Sequence, residues 1–177
     1  MGGHSMKSII VNIYTFDELT DEAKEVARNW YRESRLDSAW AWESTQEDAV
    51  QIGLEILALD CHKANEGQFI ASAEECAHKI IDNHGESCET YTTAKTYLAD
   101  RDRTIDESPR NEDGEFENTY ELDQNLDKLD REFLYSLLKD YRIMFEKELD
   151  YMNSDEYVDE NILANEYTFT INGKREG

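Results

Sequence analysis

The sequence predicts an α+β fold, mainly α-helical, with a long C-terminal helix and a small antiparallel sheet that pairs the terminal strands. Three observations lead there. Apolar residues recur every three to four positions through most of the chain, and period-2 alternation is confined to its two ends. A single proline and eight glycines in 177 residues leave little turn chemistry between long elements. Ten Tyr, six Phe and three Trp bring large apolar area to a chain that is 33% charged, so a packed core is expected where charge alone would suggest disorder.

Residues 1–5, Met-Gly-Gly-His-Ser, read as an expression scar ahead of Met6, and residues 6–177 as one domain. Ile9, Val11 and Ile13 alternate with Ile10, Asn12 and Tyr14, which predicts a β-branched strand with a buried face. Tyr167 to Ile171 alternates in the same way ahead of the turn dipeptide Asn172-Gly173. With so few other strand candidates, the two are expected to pair. Thr20 caps a first helix, with Asp21 and Glu22 in its opening turn and Ala23, Val26, Ala27, Trp30 and Tyr31 on one face. A second helix is expected from Trp42 to Leu59, aligning Ala49, Ile52, Gly53, Ile56 and Leu57. Ser72-Ala-Glu-Glu75 matches a capping box and opens a third helix, which carries Ala73, Cys76, Ala77, Ile80 and Ile81 and stops at Gly85. Thr90 to Asp100 is a weaker helix. Residues 101–120, with Pro109, Gly114 and few apolar side chains, read as a long flexible acidic loop. From Asp123 to Met152 the apolar positions Leu126, Leu129, Phe133, Leu137, Tyr141 and Met144 predict one helix of about 45 Å. Ser154 caps a short last helix with Val158 and Ile162 facing inward.

Charge is the strongest functional signal. With 41 acidic and 18 basic residues the net charge is −23, far beyond the magnitude of about 2 to 8 that keeps a small domain in solution. That excludes direct nucleic-acid binding and points to a basic macromolecular partner. Between 106 and 123 lie Asp106, Glu107, Glu112, Asp113, Glu115, Glu117, Glu121 and Asp123, with Arg110 as the single base. Carboxylates spaced along a loop and the adjoining helix imitate a phosphate series, which runs at about one charge per 1.7 Å of duplex axis. These eight are therefore the expected partner contacts. Trp40 and Trp42 join them, because tryptophan is enriched at interfaces, although core packing accounts for them equally well.

Other chemistry finds less support. All three cysteines and the histidines beyond the scar fall between 61 and 88. Cys61, His62, His84 and Cys88 are of the types that bind zinc, but no Cys-x2-Cys or His-x3-His pair is present. Cys76, on the apolar face of its helix, reads as a buried thiol. A calcium loop centred on Gly114 would put Pro109 first and Tyr120 twelfth, where carboxylates are required. No nucleophile or phosphate-loop signature surrounds any candidate, so neither an enzyme nor a cofactor is expected. No apolar run approaches the ~18 residues of a membrane span. The opening lacks a signal-peptide pattern, and an odd number of cysteines suits a reducing host cytoplasm.

Residues 13–32, Ile-Tyr-Thr-Phe-Asp-Glu-Leu-Thr-Asp-Glu-Ala-Lys-Glu-Val-Ala-Arg-Asn-Trp-Tyr-Arg, resemble the start of a family of uncharacterised small acidic phage and prophage proteins. The run from Glu148 through Tyr151, Asp155, Glu156, Asn165, Glu166, Tyr167 and Phe169 to Gly173 and Lys174 resembles the same family's end. The resemblance implies a shared strand–helix start and helix–strand finish. Relatives carry a glycine- and serine-rich stretch where this chain has Leu59 to Gln68, so nothing is carried over to the middle. A phage setting joined to the charge gives the expected function: a phage-encoded, non-enzymatic acidic inhibitor that binds a basic host protein or nucleoprotein complex of nucleic-acid-binding defence, as an anti-CRISPR or DNA mimic does. Two alternatives stand beside it. One is an antitoxin-like protein that sequesters a dedicated toxin through Trp40, Trp42 and the long helix; the other is a metal-binding protein built on residues 61–88. The sequence leaves the oligomeric state open.

Overall fold

A computed structural model of the chain describes residue 3, residues 5–60 and residues 62–176. The architecture is α+β and mainly helical. Its elements are β1 (Tyr14–Thr15), a 3-10 turn (Phe16–Glu18), α1 (Asp21–Ser34), α2 (Ser38–Gln51), β2 (Leu54–Ala58), β3 (Glu66–Phe69), α3 (Ala73–Asn83), α4 (Glu89–Glu107), α5 (Thr119–Met152), α6 (Asp155–Ala164) and β4 (Thr168–Phe169). The strands form two antiparallel pairs, β1 with β4 and β2 with β3. The chain gathers into two compact units, one running to Ser38 and resuming at Glu148, the other spanning Ala39–Lys147. No helix among the described residues is long and apolar enough to cross a membrane.

In the first unit the terminal strands do pair, with Tyr14 opposite Phe169 and Thr15 opposite Thr168. The pairing is shorter than the alternation predicts. After Phe169 the chain folds back through a turn in which the Gly173 amide bonds Thr170 O, and Arg175 returns to bridge Phe169. Residues 9–13 therefore meet no facing strand, and Ile9, Ile10, Val11 and Ile13 stand exposed instead of burying a face. Gly173 is obligatory in that turn. Its φ is +84°, and a β-carbon there would lie 2.0 Å from the Ala23 carbonyl oxygen. Thr20 caps α1 by accepting from the Ala23 amide, and Ser154 caps α6 by accepting from that of Tyr157. α1 buries Ala23, Ala27 and Tyr31 against Phe16, Val158, Ile162 and Phe169. Val26, expected on the same stripe, is exposed, because it lies at the edge of the face that Ala23, Ala27, Trp30 and Tyr31 turn to the core. Trp30 packs edge-on against Tyr167 and Phe169. Arg28 clamps α6 with two bonds to Asp159, of 2.6 and 2.8 Å. That carboxylate holds the guanidinium in its charged form against the opposing cost of burial.

In the second unit the helix expected over 42–59 is two elements. α2 starts at Ser38 and ends at Gln51, and Gly53, at φ +80°, turns the chain into β2. Leu54 and Ile56 then point inward from a strand, with Leu57 outward. Four apolar positions over 52–57 satisfy either period, and pairing with β3 selected the strand. β3 itself, Glu-Gly-Gln-Phe, carries no apolar alternation to announce it. α3 matches its expected cap, with Ser72 Oγ accepting from the Glu75 amide. Its inward face of Ala73, Cys76, Ala77 and Ile80 joins Ile52, Leu54, Ile56, Tyr97, Phe133, Leu137 and Tyr141 in one core. The stacked rings of Tyr97 and Phe133, with centroids 4.2 Å apart, tie α4 to α5.

The loop expected over 101–120 is corrected at both ends. α4 continues to Glu107, and α5 begins at Thr119. Polar composition hid the helix, since Ile105 alone extends the apolar set of Ala94, Tyr97 and Leu98. The true stop is Pro109, before which Ser108 takes the extended backbone that a following proline favours.

Candidate functional site

The eight carboxylates of residues 106–123 lie at one end of an antiparallel helical hairpin in the second unit. α4 and α5 run in opposite directions: Thr93 Oγ1 donates to Asp140 Oδ2 at 2.6 Å, and further along α4 the Tyr97 hydroxyl donates to Asp130, earlier on α5. The connection between them is ordered by polar bonds. Arg110 bridges Phe116, lays its guanidinium 4.0 Å from that ring's centroid and donates to the Gly114 carbonyl. Asn111 Oδ1 accepts from the amides of Asp113 and Glu115, an Asx turn that holds the tip. Asn118 caps α5 by accepting from the Glu121 amide, and its own amide donates to the Glu121 carboxylate.

All eight carboxylate residues are exposed. Their relation to the helix dipoles differs. Glu121 lies in the first turn of α5, at the positive end, where a carboxylate is stabilised. Asp106 and Glu107 close α4 at its negative end, and no base stands in that last turn. Arg110, the one local base, is engaged by Phe116 and Gly114. The carboxylates of Glu107 and Glu117 have no hydrogen-bond or ion-pair partner among the described residues.

A groove of about 740 Å³ opens between the end of α4 and the start of α5. Of the expected contacts it gathers Glu107, Glu117 and Glu121 into its lining, with Leu122 and Leu129 as its apolar part. Asp106, Glu112, Asp113, Glu115 and Asp123 do not line it. Reading a charge run along the chain missed Glu132, about two and a half turns beyond Asp123 on α5, which also faces this groove. The only sequence signal for it is helical spacing, Glu121 to Glu132 being three turns of α5.

The other candidates take up different positions. Trp42 packs edge-on against Phe145 and onto the core of the second unit. Trp40, two residues earlier, is 56% exposed. Cys61 lies outside the described residues. His62 is exposed, and its amide donates to Asp60 Oδ1, which holds that carboxyl below the ordinary aspartate range. Cys76 is buried as expected, and burial pushes its thiol up to about 12, so it is a packing group rather than a nucleophile. Cys88 stands at the N-cap of α4.

His84 belongs to a network that the spacing of 61–88 did not suggest. Its Nδ1 lies 2.6 Å from Thr90 Oγ1, and its Nε2 lies 3.8 Å from Asp48 Oδ2. The same Asp48 oxygen accepts from the Tyr141 hydroxyl at 2.8 Å. Burial, reinforced by Asp48, drives the Tyr141 phenol far above its ordinary value. A hydroxyl, an imidazole and a carboxylate in a row have the composition of a nucleophilic triad. Thr90 is wholly buried, however, so its hydroxyl cannot meet a substrate. The network instead joins α2, the end of α3, the start of α4 and α5. Among the described residues no group of three or more His, Cys, Asp or Glu side chains is placed to hold a metal ion.

Comparison with known proteins finds no match to the chain among family models, curated proteins or solved structures.

Proposed function

We propose that this protein is a non-enzymatic acidic binding protein whose α4–α5 end occupies the nucleic-acid-binding surface of a basic host protein and thereby inhibits it. The observation that carries the reading is the concentration of eight exposed carboxylates at one ordered tip, where the single base of that segment lies over the Phe116 ring. Acids are placed there even where they oppose a helix dipole, at Asp106 and Glu107. Departures from local stability rules of this kind accumulate where a surface serves a partner. A phage origin, expected from the resemblance of the two chain ends, would place the target in a bacterial host and make a defence complex a natural one.

Sequestration of a dedicated toxin is the second reading, favoured by the exposure of Trp40 and weakened by the packing of Trp42 on Phe145. The two differ in salt response. Affinity for a basic nucleic-acid-binding face falls steeply between about 0.1 and about 0.5 M salt, whereas a largely apolar interface holds. The test is a pull-down from nuclease-treated bacterial lysate at both salt concentrations. The wild-type chain is set beside one carrying Glu112→Gln, Asp113→Asn, Glu115→Gln and Glu117→Gln. The inhibitor reading expects a nucleic-acid-binding protein that is released at high salt and recovered poorly by the variant. A partner that survives high salt and binds both chains equally overturns it in favour of sequestration.

A further inference from the structure

The groove beside the acidic tip has a shape as well as a charge. Four residues of α4, Thr92, Thr96, Asp100 and Thr104, and its C-cap Ser108 follow one another at intervals of four along one wall. Opposite them on α5 stand Leu122, Asn125, Leu129, Glu132 and Ser136, at intervals of three and four. Two clefts, of about 740 and about 250 Å³, share Leu129 and Glu132 in their linings and so lie end to end along the α4–α5 seam, which we read as one channel. From Thr92 to Ser108 the α4 wall rises about 24 Å. Ridges at these intervals are what one helix offers to another. Short hydroxyl side chains on the α4 wall leave the space between the ridges unfilled. The Thr104 and Ser108 hydroxyls donate back to their own helix, at Asp100 O and Thr104 O, and so ask nothing of an occupant.

The polar demand comes from the carboxylates. Glu107 and Glu117 face the wide end from α4 and from the connection, without partners of their own, while Glu121 and Glu132 line it from α5. Lys128 is the one base in the lining and sits 4.0 Å from Glu132. Leu122, buried, and Leu129, half-buried, form an apolar floor between the acids. A single metal ion does not fill such a channel, and a nucleic acid is repelled by it. Arginine meets both features, since its aliphatic stem lies along leucine and its guanidinium reaches a carboxylate with two bonds.

We propose that the α4–α5 channel is the docking site for an amphipathic, arginine-rich α-helix of the basic partner, which lies along the channel as a third helix beside α4 and α5. This rests on the inhibitor reading above and narrows it. The partner is held by one helical segment in a groove rather than by a diffuse array of carboxylates that imitates duplex DNA.

The probe is a synthetic 16-residue helical peptide with Arg at intervals of three and four on one face and Leu beside them. A scrambled peptide of the same composition is the control. Binding to the full chain is read by fluorescence anisotropy at about 0.1 M salt. Three variants separate groove from surface: Glu121→Gln with Glu132→Gln removes groove charge, Thr104→Phe fills the channel without changing charge, and Glu112→Gln with Asp113→Asn and Glu115→Gln neutralises the tip outside it. Circular dichroism verifies that each variant keeps its helices.

The expected result is at least about tenfold tighter binding of the helical peptide than of the scrambled one. About a tenfold loss should follow in both groove variants, with little change in the tip variant. Equal binding of the two peptides, or a loss in the tip variant as large as in the groove variants, overturns the channel and leaves the acidic-surface inhibitor standing. If neither peptide binds while the lysate still yields a salt-sensitive nucleic-acid-binding partner, the channel alone fails. If both fail, the inhibitor reading falls with it.

Discussion

His84 and Thr90 show how a residue's role follows from what surrounds it. Thr90 is 0% exposed, and its hydroxyl has the His84 imidazole as its partner. His84→Ala strands that hydroxyl, at a cost of about 1–3 kcal/mol for an unsatisfied buried group. Thr90→Val in the same background should recover part of the loss, because an apolar group of the same shape asks for no bond. Urea unfolding of the two single variants and the double variant measures this coupling, and strictly additive losses would show that the two side chains do not interact.

Asp140 is the second residue whose environment has a measurable consequence. Burial raises its carboxyl above the ordinary aspartate range. The Thr93 hydroxyl opposes that shift, and Glu89 adds to it. A folded-state value above the unfolded one means that the folded chain binds the proton more tightly. Asp140 therefore disfavours folding at neutral pH, and the penalty is relieved as pH falls through the folded-state value. Asp140→Asn should be more stable than wild type at pH 7, with the advantage shrinking toward pH 4. A urea midpoint difference between the two chains that stays constant with pH would refute the shift.

At the scale of elements, α4 and α5 meet the acidic tip on unequal terms. Glu121 completes the Asn118 cap at the favourable end of α5, whereas Asp106 and Glu107 load the unfavourable end of α4. Asp106→Asn with Glu107→Gln should stabilise the second unit by about 0.3–1 kcal/mol per residue at low salt. The same pair should weaken capture of a basic partner. Stability gained as binding is lost is the signature of residues kept for contact. Thermal unfolding beside the pull-down reads both, and a variant that loses stability would remove the dipole argument.

The carboxylates also act together on the whole molecule. A net charge of −23 repels itself in the compact state, and mobile ions screen that repulsion over about 30 Å at 0.01 M and about 8 Å at 0.15 M. The Tm should therefore rise as salt is raised over this range, the opposite of a fold held by surface ion pairs. The α1–α6 contact limits the effect in the first unit, because Arg28 and Arg32 bond Asp159 and Asp155. A Tm that falls with salt would mean that these pairs outweigh the repulsion.

Local information in the chain was enough to determine the helical class, the caps at Thr20, Ser72 and Ser154, the partnership of the two ends, the buried thiol of Cys76 and the acidic segment itself. Apart from the pairing of the ends, which followed from the lack of other strand candidates, each of these depends on residues within a turn or two of one another, where spacing and side-chain type act directly. Tertiary contacts decided the rest. Residues 52–57 fit a helix or a strand until β3 paired with them, and β3 had no pattern of its own. Residues 9–13 lost their strand because the turn at Gly173 removed the neighbour they needed. The channel joins side chains along two packed helices, and the Asp48–His84–Thr90–Tyr141 network joins side chains from helices distant in sequence. Such sites have no local spacing to read, since they exist only once the helices have packed.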